Sequence, residues 1–598
     1  MPILRLKIFI LFMTICIFSH MTLCSLETYE VLFTGVEDPS TLQLLRSASQ
    51  LVSLDKNPPS TAAALMRRAE ADIPRFTKIL QSMAYYDSSI ELNIQLETSP
   101  AQVIFEVQLG EQFIFSAFDI VTKDENSPVC SCIDLKALEI VLNTPAYPKT
   151  ILHAEDLLLT QFSAMGYPLC TIKDREVIAD VGGQTVAVTI TVETGPKSRF
   201  GPLSIIGSKN VCKDYFLKKI AWREGEFFDP CKVEETVRSM EASSLFSTIN
   251  IRHAESIEEE DSLPIEIDVV ESKHRSLGYG VGYSTMRSFG ILGEYENRNE
   301  RHQGERFKLT GAIWNNLYDG TYFYLVPDWR LRNQDLIWLI QAHHEVTKGY
   351  TETFHSASVS VERQFNPYLR TTYGLMFKNL VNWRSDNNGA FNLFKLPMSL
   401  KWVDVDDPVD PSYGYTVNLK VIPSFEIFDR PFAYCINLLT LSSYLPMSEC
   451  GNMIFATKMT FGTIIGSSSR VIPPSERFYA GSEETLRGYR YLTVSPLGRS
   501  KHTHKKDDPL GGRSMMIFNF EMRRRITEDW GMVLFYDIGN VYNSVYPRWN
   551  NKQLQAVGAG ARYHTPVGPL RLDIAFPLDR RKHLDRALEV YLSLGQTF

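Results

Sequence analysis

Residues 477–496, RFYAGSEETLRGYRYLTVSP, set Arg487, Gly488 and Tyr489 in a stretch too aromatic for plain linker. Downstream, two runs carry single acids: Glu521 in MIFNFEMRR and Asp537 in VLFYDIG, which also holds Gly539. A guanidinium offers a rigid planar fork suited to a carboxylate, and glycine lets a backbone turn tightly. Chemistry of that kind fixes a segment in place and breaks no bonds. For catalysis the chain would need a convergent nucleophile and base, and it has no Gly-x-Ser-x-Gly elbow or zinc signature. It is therefore read as a non-enzyme with no cofactor and no metal. His343-His344-Glu345 reads as wall, His502 and His504 in SKHTHKKDD as solvated loop, and Cys130-Ser131-Cys132 lacks histidines at zinc-like spacing.

The elements that must position the arginine and the acids are strands. From residue 277 apolar side chains alternate with small or polar ones: Leu277, Tyr279, Val281 and Tyr283 against Gly278, Gly280, Gly282 and Ser284, then Phe307, Leu309 and Ile313 against Arg306, Lys308 and Thr310. Near the end, Leu570, Leu572, Ile574 and Phe576 oppose Arg571, Asp573 and Ala575. This is the pattern of a membrane wall with lipid outside and water inside, since charges facing lipid would be costly. About sixteen such segments fit the length, those near 288, 334 and 433 being poorly patterned. A soluble β-sandwich also alternates, but the aromatic content of 12% and the unbroken run of segments favour the membrane barrel. By the same parity Glu521 and Asp537 point inward. The arginine lies in a connection of about 45 residues, 466–512, where other connections are short, and loops of that length are usually functional or disordered.

Bulk properties agree with an exported, multidomain protein. A chain of 598 residues exceeds one ordinary core, and a net charge of −7 gives no electrostatic case for nucleic acid. Arg5 and Lys7 precede an apolar run from Ile8 to Phe18, so residues 1–24 read as a secretory signal peptide whose apolar core is too short to span a bilayer. Export makes disulfides possible among Cys130, Cys132, Cys170, Cys212, Cys231, Cys435 and Cys450. Cys212 and Cys231 would close a loop of about 20 residues, and Cys170 could pair with Cys130 or Cys132.

Before residue 275 the pattern changes to three copies of strand, helical pair and two strands, at 25–110, 111–195 and 196–275. The third is clearest, with PLSIIGS, the turn Arg223-Glu224-Gly225-Glu226 and the strands STINIRHA and PIEIDVVE. With its IxG, FFDP and LF signatures this arrangement resembles the POTRA domains of outer-membrane assembly proteins. Such domains have an open sheet edge that can accept an extended client strand.

The stretch 477–496 resembles the sixth-loop signature of the same superfamily, in which an Arg-Gly-aromatic tip folds back into the barrel and holds an inner-wall acid; FYDIG, ending in Gly539, resembles its wall motif. The resemblance implies a pair between Arg487 and Asp537, with Glu521 as second partner. Together with TPVGPLRLDIAFPL and a last strand ending in Phe598, it is nearest the TamA family, the outer-membrane subunits of the translocation and assembly module. It implies three POTRA domains, a sixteen-stranded barrel at 276–598 in the bacterial outer membrane with the POTRA domains in the periplasm, and assembly or secretion of unfolded outer-membrane protein clients. A further implied partner is an inner-membrane-anchored, periplasm-spanning protein of the TamB type. A general BamA-type insertase and a lipid-transport component are the alternatives, and a passive porin would need no such domains. The barrel's first and last strands are expected to meet weakly. Gly278, Gly280 and Gly282 remove side chains along strand one and Gly595 interrupts the last strand, leaving poor cross-strand packing.

Overall fold

The computed structural model describes residues 28–59, 61–98, 100–122, 133–257, 261–284, 288–448, 451–499, 507–565 and 569–594. The signal-peptide reading and the calls on Gly595, Phe598, Cys130, Cys132, Cys450, His502 and His504 lie outside these residues. Among the described residues no helix is long and apolar enough to cross a membrane.

The N-terminal part repeats one topology three times. Strands β1 (Tyr29–Thr34), β2 (Ser89–Gln95) and β3 (Ala101–Gln108) form a sheet in the order β1-β3-β2, with β1 parallel and β2 antiparallel to β3. The second and third sheets follow the same plan, with β4 (Ile114–Thr122), β5 (Thr171–Asp180) and β6 (Thr185–Glu193) ordered β4-β6-β5, and β7 (Arg199–Ile206), β8 (Phe246–His253) and β9 (Ser262–Glu271) ordered β7-β9-β8. In the first copy the helix Ala62–Ser82 buries Leu65, Ala69 and Phe76 against Val103 and Phe105 of the central strand. That stripe has helical spacing and meets a strand whose alternate residues are buried. The second copy departs from the expected helical pair: only a short 3₁₀ turn, Leu135–Leu138, precedes the helix Pro148–Ala164 among the described residues.

The chain divides into two compact units, one of residues up to 204 with 222–234 and 252–266, the other of 205–221, 235–251 and 267–598. Part of the third copy thus belongs with the wall. Within that second unit Lys219 of the helix Lys213–Lys219 pairs with Asp328 at 2.7 Å, and Asn299 donates to the Asn210 carbonyl at 2.8 Å. Gly304, at φ +79°, lies so near Tyr215 that a Cβ there would stand 2.7 Å from the ring.

The wall is one antiparallel sheet running from β10 (Arg275–Ser284) through β11 (Ser288–Asn297) and β12 (Arg306–Trp314) to the strand Glu589–Leu594. It holds seventeen strands where sixteen are expected. The reason is local: Gly389–Lys395 and Met398–Val405 both pair with both flanking strands and share one position, interrupted at Leu396-Pro397. Proline donates nothing to a ladder. The poorly patterned runs near 288, 334 and 433 are all strands. The first and last strands come into contact, but the described residues show no ladder between them.

Candidate functional site

The long connection leaves the sheet after Gly466 and returns at Ser514. It does not lie in solvent. Ala480, Leu486, Tyr489 and Val494 pack with Met515, Ile517, Val541, Leu554 and Ala556 of the wall in one buried cluster. Isolated bridges Phe478 to Gly512 and Ala480 to Val494 hold its two arms together. Apolar residues at loop positions therefore have an inner-face partner, which accounts for the aromatic content of the segment.

At the tip, Arg487 has no exposed surface. Its Nε and Nη2 donate to the two oxygens of Asp537 at 2.8 and 2.7 Å, and its backbone N–H adds a third bond at 3.1 Å. Nη1 donates to Glu521 at 2.5 Å, and the guanidinium carbon lies 3.6 Å from the centre of the Phe535 ring. The structure thus brings together Arg487, Asp537 and Glu521 from three separate segments. A buried guanidinium engaging two carboxylates on one side and a ring on the other has its donors matched, which burial requires.

Gly488 sits at φ +82°, its N–H donating to the Tyr591 hydroxyl at 3.0 Å. A Cβ there would stand 3.2 Å from Ala556 and from the backbone of Phe576 and Pro577. Glycine is required at this point both by the turn and by the close approach. Tyr489 is buried and donates to the Gln555 carbonyl at 2.8 Å. Gly539 lies two residues beyond Asp537 in the same strand, opposite Ile517. It lets neighbouring strands approach, since a Cβ there would lie 2.5 Å from the Met516 carbonyl oxygen.

The pair is part of a larger array that sequence reasoning missed. Asp573 lies 3.9 Å from Arg487 and pairs with Arg562; Arg523 donates to Glu521 at 2.9 Å, and Arg571 to Glu483 at 3.0 Å. Four guanidiniums thus meet four carboxylates. Their parity was legible, because Arg571 and Asp573 alternate with an apolar face, but nothing local says which inward charges meet. A second anchor was also missed: buried Glu476 accepts from Lys378 at 2.9 Å, from Lys395, and from Tyr434 at 3.2 Å, while Arg477 pairs with Asp386 at 3.0 Å. The RF opening of RFYAG was its only signal.

The remaining candidates divide. Gly280 has nothing within 4 Å of a would-be Cβ and Gly278 nearly so, but at Gly282 and Gly290 the Cβ would strike the Trp314 ring. The glycines of β10 and β11 therefore do two things: some leave open space and others seat an indole. Cys212 and Cys231 are both free and exposed, so the expected bridge is absent. Cys212 precedes the helix Lys213–Lys219 with its N–H on the His302 carbonyl, whereas Cys231 lies in the first turn of Pro230–Glu241 with its N–H on Asp229. Each is fixed at the start of a different helix.

A large antiparallel wall that holds its own long loop inside by buried ion pairs defines the class of this protein. Residues 299–598 match the Omp85 superfamily domain, and the chain belongs to that superfamily. It is similar to the outer membrane protein assembly factor BamA of Nitratidesulfovibrio vulgaris, 21% identical over 75% of this chain, and spans 57% of that relative's length. The outer membrane protein assembly factor BamA of Neorickettsia risticii is 20% identical, the match covering 85% of this chain and 69% of the relative. Among solved structures, BamA from Haemophilus ducreyi lacking POTRA domains 1–3 superposes with a TM-score of 0.66 at 14% identity, covering 81% of this chain and 98% of that one.

Proposed function

We propose that the chain is an outer-membrane assembly or translocation factor: three periplasmic POTRA domains present unfolded outer-membrane protein clients to a sixteen-stranded barrel, which passes them to the bilayer at the seam between its first and last strands. The observation that carries this reading is the fully buried Arg487 bound to Asp537 and Glu521. A passive pore gains nothing from plugging its own interior with an ion-paired loop, whereas a machine that opens its wall at one seam needs the strands beside that seam held in place. Two features favour the seam. No ladder joins the end strands among the described residues, and Tyr279 of β10 is 93% exposed against 50% for Leu309 of β12 on the same outward parity.

Three repeats of the strand and helix plan, with the loop signature, support the finer TamA-type role acting with a TamB-like, inner-membrane-anchored partner. The BamA names of the relatives support the general insertase as the second reading. Cysteine pairs introduced along β10 and Glu589–Leu594, with native thiols removed, test the seam. Oxidation is expected to stop client assembly and reduction to restore it; undiminished assembly in the locked protein would refute lateral opening. Affinity purification from native envelopes separates the two roles: a large inner-membrane-anchored partner supports the first, nascent barrel proteins alone the second.

A further inference from the structure

We propose that His343, Glu345 and Glu352 form a site for one divalent transition metal of the zinc class, on the inner face of the wall at the end where the long loop enters. The strands Gln334–Val346 and Thr351–Gln364 are antiparallel neighbours whose register sets Glu345 directly opposite Glu352, with His343 on the same parity. One ligand atom from each residue lies within 4.8 Å of the others, and both glutamates are 94% buried, being 6% exposed. His343 Nε2 stands 3.9 Å from Glu352 Oε1. Tetrahedral zinc, with bonds of about 2.0–2.1 Å to nitrogen and oxygen, spaces its ligands about 3.4 Å apart. A side-chain adjustment of about half an ångström closes that gap.

The surroundings are built for a metal. His343 Nδ1 donates to Asp319 at 2.8 Å, and that carboxylate is itself held by Gln341 at 2.9 Å and Thr321 at 3.0 Å. Because a carboxylate only accepts, the proton sits on Nδ1 and the Nε2 lone pair faces the glutamates, the orientation metal-binding histidines take when a carboxylate backs them. Stacking on Phe354 at 4.7 Å fixes the ring plane. Among the described residues Glu352 Oε2 has no hydrogen-bond donor. Lys378 stands 4.0 Å from it but is bound to Glu476 at 2.9 Å. Glu345 accepts from a neutral donor, the Tyr491 hydroxyl at 3.2 Å.

Charge adds a third argument. With His343 neutral, four carboxylates of this linked group, those of Asp319, Glu345, Glu352 and Glu476, face two ammonium groups among the described residues, Lys378 and Lys395, an excess of two negative charges. Two buried carboxylates directly opposite each other are unfavourable without a cation between them. A histidine with two carboxylates suits zinc-class ions, whereas calcium takes six to eight oxygens. Through Tyr491, two residues beyond the Arg-Gly-Tyr tip, a bound metal would brace the loop against the wall. The inference rests on this wall geometry and is independent of the assembly reading.

The test is zinc titration of the chelator-treated full chain in detergent by calorimetry, with the native cysteines replaced by serine so that no thiol competes for the metal. One zinc is expected, with Glu352→Gln and His343→Ala each weakening it about 100-fold and Asp319→Asn about 10- to 100-fold. Heat-modifiable migration on gels verifies that each variant is folded. Where one is not, zinc X-ray absorption on the parent protein decides, one imidazole with carboxylate oxygens being expected. Equal zinc affinity in the folded variants, no zinc binding by the parent protein, or a zinc shell lacking imidazole would overturn the site.

Discussion

The two ends of the wall are built on opposite terms. From Ser514 to Leu594 the inner face carries Glu521, Asp537, Arg562, Asp573 and Tyr591, all buried and most bound to a neighbour or to the inserted loop. Along β10 (Arg275–Ser284) the inner face is mostly glycine, Gly278, Gly280 and Gly282, with the Trp314 ring over Gly282 and Gly290, and the first inner-face ion pair, Glu294 with Lys308 at 2.8 Å, lies on β11 and β12. One end is held by directional, charge-assisted bonds, and the other offers little side-chain surface to a partner strand. The difference teaches where such a wall can yield. Buried ion pairs contribute little net stability over apolar packing but penalise any arrangement that strands a charge, so they specify one loop position. A glycine-lined edge specifies much less, since cross-strand side-chain pairs are what stabilise a sheet.

The sharpest way to break the contrast is to destroy the anchored end. Arg487→Glu leaves buried Asp537 and Glu521 facing a third acid, and a loss of about 5 kcal/mol in urea unfolding in detergent is expected, with client assembly abolished while the chain still partitions with membranes. Arg487→Asp with Asp537→Arg should recover part of both, and no recovery would mean the pair is not the determinant. Next in size, Glu476→Gln leaves Lys378 and Lys395 without their shared anion. A loss of about 3 kcal/mol is expected by the same assay. Gly488→Ala forces a side chain into a left-handed turn against Ala556, and about 2 kcal/mol should be lost without any change in charge.

Much of this anchored end was legible in the sequence, because a period of two fixes parity absolutely: Asp537 among Tyr536 and Ile538 can face only one way. Arg487 was legible only through resemblance, since no periodicity governs a loop. Asp573 faced inward by pattern, yet its meeting with Arg562 depends on strand stagger, which no local signal encodes. His343 and Glu345 read as wall because the opposing Glu352 lies across a turn in another strand, and the register that pairs them is visible only once the hairpin is formed. The bridge between Cys212 and Cys231 failed for the converse reason: a loop of about 20 residues permits closure entropically, but two helix starts then fix the thiols separately.

A smaller effect probes the junction between the third repeat and the wall. Glu271, at the end of β9, is disfavoured as a charge by burial, but the Asn210 backbone and side chain and the Lys209 and Val211 N–H groups outweigh this and hold its pKa at about 2, against 4.5 ordinarily. A depressed folded pKa means the stabilisation is complete above pH 4.5 and is lost as pH falls toward 2. For a partly exposed group that contribution is about 1 kcal/mol after solvent screening. Glu271→Gln should remove this part of the acid dependence, and an unchanged acid profile would show the loop at 209–211 to be held otherwise.

The smallest expected effect tests the yielding end most directly, because it asks whether its glycines are equivalent. At Gly280 a side chain meets open space on the inner face, so Gly280→Val should change unfolding stability by no more than about 0.5 kcal/mol. At Gly282 the same change drives a Cβ to within 2.9 Å of Trp314, whose ring is already pressed over Gly290, so the indole must leave its seat and about 1–3 kcal/mol should be lost. Trp314 fluorescence should shift in Gly282→Val and stay unchanged in Gly280→Val. Equal costs at both positions would mean the indole does not organise this edge, and the contrast between the two ends of the wall would then rest on the missing ladder alone.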